Sequence, residues 1–293
     1  SPARRSPQID PPHPTTLSLP SQPQRPHRRP VLGRGRAKGC GAMPGESVQL
    51  HGWTISTNKA PILGSRDLEE VYAALGGVIN LPEQLYGHSW VDFHHAASGT
   101  AISFNALDAL RGWCQEALPP LRVAGAQDWM RTRRREVEAS QAEYLDYDWT
   151  FTSPYCGTTC SADSAGATPA QRAFCLAGHG DAGAQWSATE HQIDRQMLMA
   201  RDPLLLYDEV LLYESELDDS GVSNYSVKVR VMERCFFCLA RFFLRVDSTM
   251  VRLREVRLFC RFDQPHVVLR ELTHREGTMA ELAAGGAPPA GAA

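Results

Sequence analysis

The chain has no apolar run of the roughly 18 residues that a membrane-spanning helix needs. Its best stretch, around Cys235 to Leu244, is short and interrupted by Arg241. No secretory apolar segment follows the N-terminus. Charge of one sign is also lacking: a formal net charge of -3 over 293 residues points to no polyanionic partner. Eight cysteines are too few for a disulfide scaffold in a chain of this length, so a reducing, cytoplasmic setting (with the nucleus also open) is expected. Phosphate-cradling loops are missing, because Gly33-Arg-Gly-Arg36 has neither a flanking strand nor a helix. Gly87-His-Ser-Trp-Val91 starts like a nucleophile elbow and lacks the closing glycine. What remains is 43% hydrophobic and 22% charged residues, enough for one sizeable core.

Residues 1–46 hold ten of the chain's 20 prolines. Eight basic residues there (Arg4, Arg5, Arg25, Arg28, Arg29, Arg34, Arg36 and Lys38) face only Asp10 and Glu46. So few apolar groups cannot offset the entropy of ordering, and a disordered basic arm is expected. Its prolines argue against an amphipathic transit helix, and an upstream extension before Met43 is the simpler expectation. Residues 47–276 read as a single folded domain, with a flexible tail at 277–293.

Within the domain, apolar spacing predicts a helix over 67–75. Ser65 is its expected cap, Leu68, Val71, Tyr72 and Leu75 its inner face, and Gly76-Gly77 its stop. A second helix is expected after Asn105, with Asp108 in its first turn and Leu107, Leu110 and Cys114 inward. A third, basic helix is expected around 126–135. Residues 157–188, rich in Gly, Ala, Ser and Thr, read as a long loop. From Leu204 the period becomes two. Val227, Val229 and Val231 alternate with Lys228 and Arg230, and Phe236, Cys238, Ala240, Phe242, Leu244 and Val246 form one apolar face. Val251 and Leu253 then lose phase with Val256 and Leu258, which predicts a bulge at Glu255. Consecutive strands with short turns predict an α+β fold of antiparallel β-sheets with a few flanking helices.

Candidate chemistry is sparse. His94 and His95 are adjacent on a strand pattern, so they point to opposite faces and cannot chelate one metal. Cys235 and Cys238, three apart, likewise part to opposite faces, and Cys238 reads as a small core residue. Cys156, Cys160, Cys175 and His179 have the pairing of a Cys3His zinc site, but the spacing is loose and no core would orient them. No metal and no cofactor is therefore expected. Arg131 and Arg133–Arg135 are followed at once by Glu136, Glu138 and Glu143, which reads as a solvated helix end.

One stretch is more specific. Residues 209–247, EVLLYESELDDSGVSNYSVKVRVMERCFFCLARFFLRVD, resemble the TIP-forty-one-like family in the order of their acidic segment, Gly-Val-Ser turn, Val-Lys-Val-Arg-Val strand and Phe-rich strand. The resemblance continues through Val251-Arg-Leu253, Thr273-His-Arg-Glu276, Phe104-Asn-Ala-Leu-Asp-Ala-Leu-Arg111 and Tyr147-Asp-Trp-Thr-Phe-Thr152. It covers about residues 50–276 and implies an α+β fold on antiparallel sheets without enzyme activity. It also implies a regulator of TOR signalling that binds type 2A-like Ser/Thr phosphatase catalytic subunits. Carried over motif by motif, it implies partner contacts at Asp108, Ile193, Leu253 and Glu255, the last two replacing the family's usual Met and Asp. A small-molecule substrate, a membrane and nucleic acid are not expected as partners. The alternative from another class is a zinc-stabilised nucleic-acid adaptor using the basic arm and the loop cysteines.

Overall fold

In the computed structural model, residues 13–19, 45–77, 80–118, 121–123, 143–145, 147–160 and 186–278 are described, with Glu281 and Ala284. Two antiparallel sheets dominate. The strands are β1 (His13–Ser18), β2 (Ser47–Leu50), β3 (Trp53–Asn58), β4 (Gln84–Leu85), β5 (Trp90–His95), β6 (Thr100–Asn105), β7 (Leu121–Val123), β8 (Glu143–Leu145), β9 (Thr158–Cys160) and β10 (Ser187–Ala188). The long strands follow: β11 (Leu204–Ser215), β12 (Gly221–Met232), β13 (Cys235–Val246), β14 (Met250–Arg261) and β15 (Val267–Gly277). The helices are α1 (Ser65–Ala74), α2 (Ala106–Gln115) and the short α3 (Arg195–Met199). None of the described helices is long and apolar enough to cross a membrane.

The large sheet has eight strands in the order β10-β1-β15-β14-β13-β12-β11-β4, and the small one five, β2-β3-β5-β6-β9. Strands β11 to β15 follow one another as a meander because each apolar run ends in a tight turn. At the β11–β12 turn, a Cβ on Gly221 would come within 2.0 Å of the Arg245 carbonyl oxygen, so only glycine fits the chain crossing there. The inner face of the large sheet presents Phe236, Cys238, Ala240, Phe242, Leu244 and Val246, all buried as the alternation predicts. These pack on the small sheet: Trp53 and Phe93 meet Phe236 at ring-centroid separations of 5.1 and 5.0 Å.

Segment 150–155 threads beneath the inner face and is held by that face's polar side chains. Tyr213 and Tyr225 donate their hydroxyls to the carbonyls of Phe151 and Tyr155, and Ser223 donates to that of Thr150. Arg252 reaches the Thr152 hydroxyl at 2.7 Å. These three backbone acceptors thus find donors, as a dry interior requires.

Several expectations need correction. Residues 13–18 of the supposedly disordered arm form β1, which pairs with β15 from His13↔Leu272 to Ser18↔Val267. Leu17 and Leu19 are 3% and 5% exposed, so an alternating Thr-Leu-Ser-Leu segment finds core to bury although the arm as a whole is polar. The domain therefore does not begin at residue 47. The bulge at Glu255 is absent: β14 pairs with β13 and β15 without a register shift, and the shifts lie in β11 instead. The apolar phase changes because Val251 and Leu253 face outward while Arg252 and Arg254 face inward, each charge neutralised by a carboxylate. Arg252 bonds Glu276 at 2.8 Å, and Arg254 bonds Glu116 through two bonds of 2.7 and 2.8 Å.

Helix α1 is capped one residue earlier than expected: Gly64 is the N-cap, without a side-chain bond, and Ser65 is already helical. Tyr72 is exposed rather than inward, and so is Cys114 on α2. The 157–188 loop carries β9 and β10 at its ends. The basic helix expected at 126–135 lies outside the described residues.

Candidate functional site

Among the described residues, the five-stranded sheet packs on the inner face of the large sheet and leaves the outer face to other segments. Part of it lies under the segment leading into α3. There Ile193, 7% exposed, packs with Met232, Cys235 and Phe259, flanked by Met197, Leu198, Phe237 and Leu269. These residues share one face because the register sets Cys235, Phe237 and Phe259 on the outer side of the alternation. Asp194 closes the segment, its carboxylate accepting from the Met197 N–H at 2.9 Å as the N-cap of α3.

Beside this cluster runs a row of charges across three strands. Glu255 is 6% exposed and accepts from Arg241 at 2.7 and 3.0 Å through one carboxylate oxygen. Its other oxygen accepts from Arg257. Burial opposes ionisation of Glu255, but the two guanidiniums outweigh it and hold its pKa below the usual carboxylate value. Arg257 continues to Glu271 at 3.9 Å, and Glu271 accepts the backbone N–H of Ile193 at 3.1 Å. Leu253, two residues before Glu255, is half-buried on the same face, opposite Phe243 on β13 and Arg275 on β15.

Of the four residues singled out from the sequence, the fold thus brings Ile193, Leu253 and Glu255 to one face. It places Asp108 elsewhere. That residue sits on α2 against the small sheet, 8% exposed, bonded to the Asn105 amide at 2.8 Å, the Thr158 hydroxyl at 2.7 Å and Arg111 at 3.3 Å. Burial raises its pKa against the pull of those three partners. Asp108 lies in the first turn of α2, as expected, but is buried and ties α2 to β9, whereas the resemblance implied a partner contact there. Strand β14 is paired on both sides, so Val251 does not lie on a sheet edge.

Sequence reasoning missed Arg241, Arg257 and Glu271. The one available signal was the alternation of Glu255 and Arg257 on a single strand face, which a period-two reading of charge would have shown.

On the inner side, a groove of about 260 Å³ runs between Glu116, Pro154, Tyr155 and Cys156 and the strand residues Arg254, Val256, Leu272 and His274. It adjoins the part of β15 that β1 does not cover, Thr273 to Gly277. Cys235 and Cys238 are buried on opposite faces, and burial lifts the Cys235 thiol to about 11, which makes it a poor nucleophile at neutral pH. His94 is half-buried and His95 buried, and burial lowers the His95 pKa. Among the described residues, no group of three or more His, Cys, Asp or Glu is placed to hold a metal ion. Cys175 and His179 lie outside the described residues.

Fold and site together define an α+β protein of two main sheets, the larger of which carries an outer face of mixed apolar and charged character. Residues 84–283 match the TIP41-like family, and the chain belongs to it. It is 43% identical over 243 residues to a TIP41-like protein of Arabidopsis thaliana, covering 82% of this chain and 81% of the relative. It is 37% identical over 230 residues to the TIP41-like protein of Homo sapiens, covering 78% and 76%. The type 2A phosphatase activator TIP41 of Saccharomyces cerevisiae is 31% identical over 251 residues, covering 81% of this chain and 65% of the relative.

Proposed function

We propose that this protein is a non-catalytic regulator that binds type 2A-like Ser/Thr phosphatase catalytic subunits, acting in TOR signalling through the outer face of its large sheet. The family supports it, since two yeast relatives are named type 2A phosphatase activators. The observation that carries it to a surface is the convergence of Ile193, Leu253 and Glu255 on the outer face of the large sheet. An apolar anchor beside an oriented charge is the chemistry of a protein-binding hot spot. An extended segment of the phosphatase has a second place to lie, in the groove beside Thr273 to Gly277 of β15, an edge that none of the described strands pairs on that side.

The test is capture of a purified type 2A catalytic subunit by the full chain, followed by association and dissociation rates. Ile193→Ala, Leu253→Ala and Glu255→Gln should each weaken capture, whereas Ile62→Ala, at a site 48% exposed and far from this face in the chain, should not. Capture unchanged by all three outer-face variants would remove the surface from the proposal. No capture by the unaltered chain would remove the function.

A further inference from the structure

The loop that carries Ile193 has little to hold it. Residues 189–194 form no helix or strand, and α3 after them is one turn and a half long. The backbone N–H of Ile193 is nevertheless buried, and an unpaired donor in such a place is costly. Its partner is a charged side chain from the sheet below, Glu271 Oε1 at 3.1 Å, with Glu271 itself 8% exposed. The other oxygen of the same carboxylate faces Arg257, directly across the β14–β15 ladder. Arg257 shares Glu255 with Arg241. One alternating row, Arg241–Glu255–Arg257–Glu271, therefore starts beside Leu253 and ends on the amide of Ile193.

We infer that Glu271 is the positioning residue of the phosphatase-binding face: its carboxylate holds Ile193 against the sheet, and Arg257 ties that position to Glu255. This rests on the reading that the outer face is where the phosphatase binds. Glu271 touches no partner itself in this scheme. It sets the height and orientation of Ile193, so that the apolar anchor and the charged residue reach the partner as one rigid surface. Arg257 faces the other oxygen of Glu271 at 3.9 Å, which leaves Oε1 to address the loop. Preorganisation of this kind acts on affinity by removing the ordering of a loop on binding.

Two variants separate positioning from bulk stability. Glu271→Gln keeps an oxygen to accept from Ile193 and loses the charge opposite Arg257, whereas Glu271→Ala loses both. Hydrogen exchange of the full chain is read at residues 189–199 and, as a reference, in β12 and β13. Binding to the catalytic subunit is read alongside. Glu271→Ala should speed exchange at 189–199 by about tenfold or more, the scale of losing one charge-assisted hydrogen bond. Exchange in β12 and β13 should hold. Dissociation should quicken by a similar factor, and Glu271→Gln should restore most of both. Ile193→Ala made in the Glu271→Ala background should cost much less binding than it does alone, because an anchor already adrift has less to lose.

Unchanged exchange at 189–199 in Glu271→Ala, or additive losses in the double variant, would overturn the inference. Equal acceleration across the whole sheet would reduce Glu271 to a general stabiliser and also overturn it. The exchange experiment needs no phosphatase, so a failure of the phosphatase reading appears only in the binding arm.

Discussion

Leu253 and Leu258 are the same residue type on the same strand, and their faces differ. Leu258 is fully buried on the inner face opposite Cys238, whereas Leu253 is half-buried on the outer face opposite Phe243. Leu258→Ala should cost about 2–5 kcal/mol, the range for emptying a packed core position. For a chain of this size each kcal/mol moves Tm by roughly 2–4 °C, which gives a fall of about 4–20 °C. Leu253→Ala removes a side chain that is only partly buried, so a smaller loss of about 1–2 kcal/mol is expected, about 2–8 °C. Binding should order the pair the other way. Leu253→Ala should speed dissociation of a type 2A catalytic subunit by about tenfold or more, as for a central apolar anchor, with association nearly unchanged. Leu258→Ala should bind normally at a temperature where it remains folded. Thermal unfolding and surface-binding kinetics on both variants decide the matter. Equal losses of Tm would mean that the outer face is core, and normal dissociation of Leu253→Ala from the phosphatase would mean that it is not an interface.

Asp108→Leu should be a folding lesion first, because it strips a buried carboxylate from the Asn105 amide and the Thr158 hydroxyl, at about 1–3 kcal/mol for each group left short of a partner; denaturant unfolding within 1 kcal/mol of the unaltered chain would return Asp108 to the surface role expected from the sequence. Glu276 is held down from its ordinary 4.5 to about 2 by His274 and, against burial, by Arg252. A depressed carboxylate contributes stability that is present above pH 4.5 and is lost as the pH falls towards 2, so stability should fall less steeply across that window in Glu276→Gln than in the unaltered chain. Parallel pH–stability curves for the two would refute the assignment. A chain beginning at Met43 lacks β1, with its buried Leu17 and Leu19, and should unfold several degrees lower; a synthetic peptide of residues 11–20 added in trans should recover part of the loss. An unchanged Tm would show that the arm is dispensable after all.

Local pattern was enough for a good part of this molecule. The period-two face of Phe236 to Val246 could only be a strand with one buried side, and its burial is complete. Asn105 and Asp108 marked the start of α2, and the N-cap bond between the Asn105 side chain and the Asp108 amide is there at 2.9 Å. Gly76 and Gly77 ended α1, both at positive φ. The motifs in 209–247 were enough for the family as well. These features depend on neighbours a few residues apart, which a single sequence displays directly.

Other features depended on groups far apart in the chain. Thr15 pairs with Arg270 and Ile193 bonds Glu271, and no local pattern announces partners at such separations. The inward Arg252 and Arg254 looked like surface residues because their neutralising carboxylates, Glu276 and Glu116, come from another strand and another helix. For the same reason the apolar phase of β14 read as a bulge. The sequence by itself determined the meander of long strands from Leu204 onward, the helices α1 and α2, and the family. Only the tertiary structure decided that Ile193, Leu253 and Glu255 share a face while Asp108 is buried elsewhere, because sharing a face is a property of strand register and of charges paired across strands.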